Sequence, residues 1–159
     1  MYYYDYYQSP HGRMLLVADD KALTGVYFAG QKYQPRIEQD WVRAARHASL
    51  RQAKRELAEY FTGKRQRFTV KVAPRGTPFQ RAVWKAIAGV GFGRTIPYAE
   101  LARRAGRPGS ARAAGAATGR NPIGIIVPCH RIVGSNGALT GYAGGLAKKR
   151  ALLELEGRS

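Results

Sequence analysis

The tetrapeptide Arg75-Gly76-Thr77-Pro78 splits this chain of 159 residues into two stretches of different patterning. Glycine and proline punctuate it, Thr77 is a good helix N-cap, and Pro78 fits a first helical position. Strand-like runs dominate before it and short helical patterns after it. The expectation is an α+β fold in two domains, residues 1–75 and 76–159, with a small N-terminal antiparallel sheet plus helix and a mostly helical C-terminal domain. Charge also distinguishes the halves. Residues 1–75 carry 14 basic and 7 acidic side chains, whereas residues 76–159 carry 13 basic and only 3 acidic ones. The formal charge of +17 calls for a polyanionic partner, nucleic acid or an anionic membrane surface, and does not choose between them.

In the first half, Tyr2 to Tyr7 is aromatic and β-prone. Two readings stand: an amphipathic edge strand, or a platform on which nucleobases stack. Met14 to Ala18 and Leu23 to Phe28 are apolar runs separated by the turn-forming Asp19-Asp20-Lys21. Leu50, Ala53, Leu57 and Phe61 recur at helical spacing, and Gly63 supplies a stop. Lys64 to Lys71 reads as a basic loop or a further strand.

In the second half, Phe79, Val83, Ala86, Ile87 and Val90 form one apolar stripe. A short helix follows Ile96-Pro97, from Tyr98 to about Ala105. Gly106 to Gly109 turns the chain, and Ser110 can cap a third helix, Ala111 to Thr118. Helix, glycine turn and helix make a helix-turn-helix candidate. Its second helix carries almost only tiny side chains and one long one, Arg112. Such a surface suits either close approach to a groove or tight core packing.

The sole cysteine lies in Asn121-Pro-Ile-Gly-Ile-Ile-Val-Pro-Cys-His-Arg131. A lone cysteine can be an inert buried hydrophobe. Here His130 and Arg131 are cations of the kind that lower a thiol pKa, and His130 is a candidate base. His11 and His47 read as packing or surface residues. Glu156, at the end of a helical stretch from Lys148 with Leu152, Leu153 and Leu155, either orients His130 or is an exposed helix-end carboxylate. Gly137 to Gly145 is a glycine-rich loop that can lie against a flat ligand.

One cysteine excludes an internal disulfide, a thiolate-rich zinc site and intramolecular disulfide cycling. No apolar run reaches the ~18 residues of a membrane span, and the N-terminus lacks signal-peptide character. A reduced, cytoplasmic, soluble protein is expected.

These residues resemble the O6-alkylguanine-DNA alkyltransferases. The resemblance rests on Ile126-Val-Pro-Cys-His-Arg131 and Gly141-Tyr-Ala-Gly-Gly-Leu146, with FQRAVWKAI, IPYAELA, SARAAGAATGRNP and LLELEG around them. It implies a ribonuclease H-like N-terminal domain and a C-terminal domain with a winged-type helix-turn-helix and an active-site cysteine. It further implies irreversible, single-turnover transfer of an alkyl group from O6-alkylguanine, and from O4-alkylthymine, to Cys129. The partner is double-stranded DNA bound from the minor groove by a monomer, with cooperativity on DNA left open. No cofactor, metal or membrane is implied.

By that resemblance Cys129, His130, Glu156, Tyr98 and Asn121 are the catalytic set. His130 takes the thiol proton through a water, Glu156 orients His130, Tyr98 assists the leaving group, and Asn121 is a hinge. Arg112 is the finger that fills the space of the extruded base. Ala113, Ala114, Gly115, Ser110 and Arg120, with Tyr98, contact DNA. Val127, Ile132, Tyr142, Ala143 and Gly144 form the substrate pocket, with the Val127 and Cys129 carbonyls and the Ala143 amide reading the base. Gly124 stands where some relatives have proline, which is expected to loosen the pocket rim. Ala143 stands where some have serine. A non-catalytic, lesion-sensing alkyltransferase-like protein is the alternative, and Cys129 argues against it. A turning-over cysteine hydrolase and a membrane-surface protein rank below both.

Overall fold

The computed structural model describes residues 1–157, so the end of the second expected domain lies outside the described residues. Strand β1 (Tyr3–Ser9) turns through Pro10-His11 into β2 (Gly12–Ala18), with Ser9 facing Gly12. The Ser9 hydroxyl closes this turn, donating to the Gly12 carbonyl at 2.6 Å and accepting from the His11 amide at 3.1 Å. Asp19 then turns the chain by accepting the amides of Lys21 and Ala22, each at 2.8 Å, and β3 (Leu23–Phe28) follows. The sheet order is β3-β2-β1-β4, where β4 (Val42–Arg43) pairs in parallel with Tyr3 and Tyr4. The tyrosine strand is therefore not an edge over its first residues. A two-residue partner arriving from 39 positions downstream leaves no local sequence pattern.

Helix α1 (Ala48–Phe61) covers one sheet face with Leu50, Ala53, Leu57 and Tyr60, all buried. The period-2 alternation of β1 points Asp5 at this helix, where Lys54 and Arg43 pair with it. Glu56 is buried on α1 and accepts Thr69 N (2.8 Å), Thr69 Oγ1 (2.7 Å), Val70 N (3.2 Å) and Gln52 Nε2 (2.8 Å). Those bonds pin the basic stretch after α1, which runs as a loop rather than a strand.

The open edge of β3 is covered by two later segments. Leu23 exchanges bonds with Lys71 and Ala73, and Val26 with Pro122 and Gly124, at 2.8–3.1 Å. An unpaired edge invites foreign strands, and these contacts satisfy it internally. They also fasten the stretch leading to Cys129 onto the N-terminal sheet. The core accordingly runs from Met14 and Leu57 through Ile123 and Val127 to Leu152 as one cluster.

Helix α2 (Pro78–Ala88) begins with a capping box: Thr77 Oγ1 accepts Gln80 N at 3.1 Å and Gln80 Oε1 accepts Thr77 N at 2.9 Å. Gly76 is required next to it, because a Cβ there would lie 2.5 Å from the Trp84 ring. Helices α3 (Tyr98–Arg104) and α4 (Ala111–Gly119) pack against α2, and Trp84 Nε1 donates to the Ala117 carbonyl at 2.8 Å. The tiny side chains of α4 serve both expected purposes. Ala114, Ala117 and Thr118 are buried against α2 and α3, while Arg112, Ala113 and Ala116 are exposed. Ser110 occupies the N-cap position of α4 but its side chain makes no capping bond, contrary to expectation. Strands β5 (Ile96–Pro97) and β6 (Ile132–Val133) pair in parallel as a separate two-stranded sheet. Helix α5 (Leu146–Leu155) is the last element among the described residues. Among the described residues no helix is long and apolar enough to cross a membrane.

Candidate active site

Between α4 and Cys129 the chain makes a tight loop held by one side chain. Asn121 Nδ2 donates to the Val127 carbonyl at 2.8 Å, and Asn121 Oδ1 accepts Ile123 N at 3.0 Å. Within this loop Ile125 is forced to φ 68°, a conformation that costs free energy for a β-branched residue. The loop delivers Cys129 to a 3-10 turn (Cys129–Arg131) at the wall of a cavity of about 730 Å³. Its walls come from both halves: Lys32 and Tyr33; Phe79 of α2; Tyr98; the α4 face of Ala113, Gly115 and Ala116; and Tyr142 with Ala143. A flat aromatic-walled cleft of this size suits one nucleobase and its sugar.

Behind Cys129 lies a buried polar cluster. His130 Nε2 stands 2.7 Å from Glu156 Oε2, both side chains fully buried. Arg131 donates from Nε to Glu156 Oε1 (2.8 Å), from Nη2 to Oε2 (3.0 Å) and from Nη1 to the Val90 carbonyl (2.6 Å). Tyr60, from α1, donates its hydroxyl to Glu156 Oε2 at 2.6 Å. Burial pushes the Glu156 carboxyl up, but the bonds from His130 and Arg131 more than offset it and leave it at about 2. A carboxylate that stays ionised accepts the Nε2 proton of a neutral imidazole. Burial lowers the His130 pKa against the pull of Glu156, so the ring is neutral at pH 7. Its Nδ1 is then the free base lone pair, and it is buried with no hydrogen-bond partner among the described residues.

The cations beside the thiol are not those expected. Arg131 turns away to Glu156, and His130 is neutral. Burial raises the Cys129 pKa, while a hydrogen bond from Asn121 and the charge of Lys149 pull it part of the way back. The resting group is a thiol that needs a base. Lys149 is buried on α5, its pKa lowered by burial to about 8, and it donates to the carbonyls of Ile132 (2.6 Å), Thr140 (2.7 Å) and Gly141 (3.2 Å). The Tyr98 hydroxyl donates to the same Thr140 carbonyl at 3.2 Å, which ties the cavity wall to the loop carrying Tyr142.

The structure brings Cys129, Tyr98, Tyr142, Ala143, Ala113, Gly115 and Arg120 to one cavity. Other expected members lie elsewhere. Ala114 is fully buried and faces the core, so it offers no surface to DNA. The Val127 carbonyl already accepts from Asn121 and from Cys129 N, and Val127 lies outside this cavity. Ile132 is buried with its carbonyl held by Lys149. Gly144 lies under the cavity wall, where a Cβ would come within 2.9 Å of the Tyr142 ring and 3.1 Å of Phe28. Gly124 is not among the residues lining this cavity, and its amide donates to the Val26 carbonyl on β3, a bond that a proline would lose. Arg120 is exposed and stacks its guanidinium 3.7 Å over the Tyr33 ring. Glu156 is buried, not an exposed helix end.

Tyr60 and Lys149 were not foreseen. Tyr60 meets Glu156 across 96 residues, and nothing local marks it. Lys149 had a signal: with Leu152, Leu153 and Glu156 it falls on the i, i+3, i+4, i+7 stripe that α5 buries.

Sequence models of two domains match this chain. The 6-O-methylguanine DNA methyltransferase ribonuclease-like domain matches residues 2–74, and the DNA binding domain of the same family matches residues 78–158. A Methanosarcina acetivorans protein named methylated-DNA--protein-cysteine methyltransferase is 46% identical over 155 residues, 98% of each chain. A Mycobacterium bovis protein of the same name is 44% identical over 156 residues, 98% of this chain and 93% of its own. The crystal structure of Mycobacterium tuberculosis OGT in complex with DNA superposes with a TM-score of 0.89 at 42% identity, covering 97% of this chain and 92% of that one. Matched in both halves and along nearly its full length, the chain belongs to the 6-O-methylguanine DNA methyltransferase family.

Proposed function

We propose that this protein repairs DNA by direct reversal, moving an alkyl group from O6 of guanine in duplex DNA onto the sulfur of Cys129. The observation that carries the reading is the one cysteine set in the wall of a base-sized cavity, with a neutral histidine and an ionised glutamate behind it. In this reading α3 and α4 form a helix-turn-helix whose exposed face, Arg112 with Ala113 and Ala116, enters the minor groove. Ser110 and Arg120 flank that face near phosphates. The alkylated guanine leaves the stack and enters between Tyr98 and Tyr142.

The thiol proton passes through a water to His130 Nδ1, and Glu156 stabilises the imidazolium that results. The Cys129 sulfur attacks the alkyl carbon, an S–C bond forms, and the C–O6 bond breaks. The departing guanine takes up a proton from water, balancing the one His130 releases, and the Tyr98 hydroxyl, kept protonated by burial, turns from the Thr140 carbonyl to donate a hydrogen bond to O6. His130 returns its proton to solvent, so protons balance. The product thioether has no easy reversal, and each molecule acts once. O4-alkylthymine offers the same alkyl–oxygen bond and is a second substrate in this reading.

Intact-protein mass after mixing with an O6-methylguanine duplex tests the function. The expected result is a gain of one methyl group per protein molecule, absent in Cys129→Ala. Tight binding of the damaged duplex with no mass gain would instead make this a lesion sensor. Arg112→Ala tests the finger. It is expected to slow transfer from duplex DNA by about 10-fold or more, because extrusion costs a few kcal/mol, and to change transfer from single strands little. Equal slowing on both substrates would reject that role.

A further inference from the structure

We propose that Tyr60, on the helix of the N-terminal half, is a positioning residue for alkyl transfer that sets how strongly Glu156 draws a proton onto His130. The inference deepens the reading of His130 as the base and rests on it. Its basis is geometric. Glu156 Oε2 accepts three donors: Tyr60 Oη at 2.6 Å, His130 Nε2 at 2.7 Å and Arg131 Nη2 at 3.0 Å. Tyr60 is fully buried among Phe61, Phe68 and Phe92, so its hydroxyl has no water to turn to. Burial and the adjacent Glu156 charge push its pKa far above the ordinary range, so it donates at every working pH.

Donors that share one carboxylate oxygen compete for its electron density. With Tyr60 in place, Oε2 orients the imidazole without holding a proton tightly on it. Without Tyr60, the remaining carboxylate charge falls more fully on His130 Nε2–H and favours imidazolium. A histidine already protonated at rest cannot accept the Cys129 proton. The charged groups that act on this imidazole are Glu156 and Lys149 at α5 and Arg131 on its own turn, and Tyr60 from α1 reaches it through Glu156. Of these, Tyr60 is the uncharged one, and it bonds directly to Glu156.

The test is the pH dependence of the second-order transfer rate on an O6-methylguanine duplex. Wild type is expected to lose activity on the acid side with a midpoint below the ordinary histidine value of 6.5, because His130 is shifted down. Tyr60→Phe keeps the ring and removes the donor. It should move that midpoint up by about one pH unit, a size typical of a lost hydrogen bond to a buried charge. A fluorinated tyrosine at position 60 is a stronger donor and should move it down. A purely structural role would lower melting temperature or the plateau rate and leave both midpoints where they were, and that result overturns the proposal. If Tyr60→Phe fails to fold, the fluorotyrosine arm decides alone. If wild type shows no acid limb, or His130→Ala retains full activity, the base assignment fails first and the Tyr60 role falls with it.

Discussion

Glu156→Ala is expected to remove about 3–5 kcal/mol of folding stability and to abolish alkyl transfer. The carboxylate is fully buried and is the common acceptor of His130, Arg131 and Tyr60. Deleting it leaves the Arg131 guanidinium in the interior with the Val90 carbonyl as its one hydrogen-bond acceptor among the described residues, beside the Phe92 ring. An unpaired buried charge is among the costliest changes a core can suffer. Urea unfolding measures it, and a loss below about 1 kcal/mol would mean the cluster behaves like an exposed ion pair. The same carboxylate predicts an acid limit. Its folded pKa of about 2 lies below its ordinary 4.5, so the stabilisation is fully present above about 4.5 and is lost as pH falls through about 2. Glu156→Gln should flatten that part of the stability profile.

His130→Ala is expected to slow transfer by about 100- to 10,000-fold, the usual value of a positioned base, while leaving affinity for duplex DNA unchanged. The thiol is held up by burial, so without a base little thiolate forms at pH 7. Raising the pH toward the thiol's own ionisation should recover part of the lost rate in the variant, because hydroxide then removes the proton that His130 removed. Single-turnover rates across pH make the comparison. A variant as fast as wild type at neutral pH would mean the thiol ionises unaided.

Much of this was legible in the chain. Thr77-Pro78 starts a helix, because hydroxyl capping and the fixed φ of proline are local properties of two residues. The β1–β2–β3 meander follows from apolar runs parted by turn residues, and α1 from its three- and four-residue spacing. Cys129 stood out by being alone, and His130 by adjacency. Other parts depended on distant partners. Strand β4, the capping of β3 by residues 71–73 and 122–124, and the Tyr60–Glu156 bond join positions tens of residues apart.

Local chemistry therefore determined the elements and the family motif, since caps, turns and side-chain period act within a few residues. Tertiary structure decided the electrostatics of the site. Adjacency in sequence suggested Arg131 as the cation beside the thiol, but a 3-10 turn sends successive side chains in different directions, and Arg131 went to Glu156. The charge that acts on the thiol is instead that of Lys149, buried on α5 and held by the Ile132, Thr140 and Gly141 carbonyls. Burial, which fixes whether a thiol or an imidazole carries a proton, is a property of the whole core and belongs to no segment of the chain.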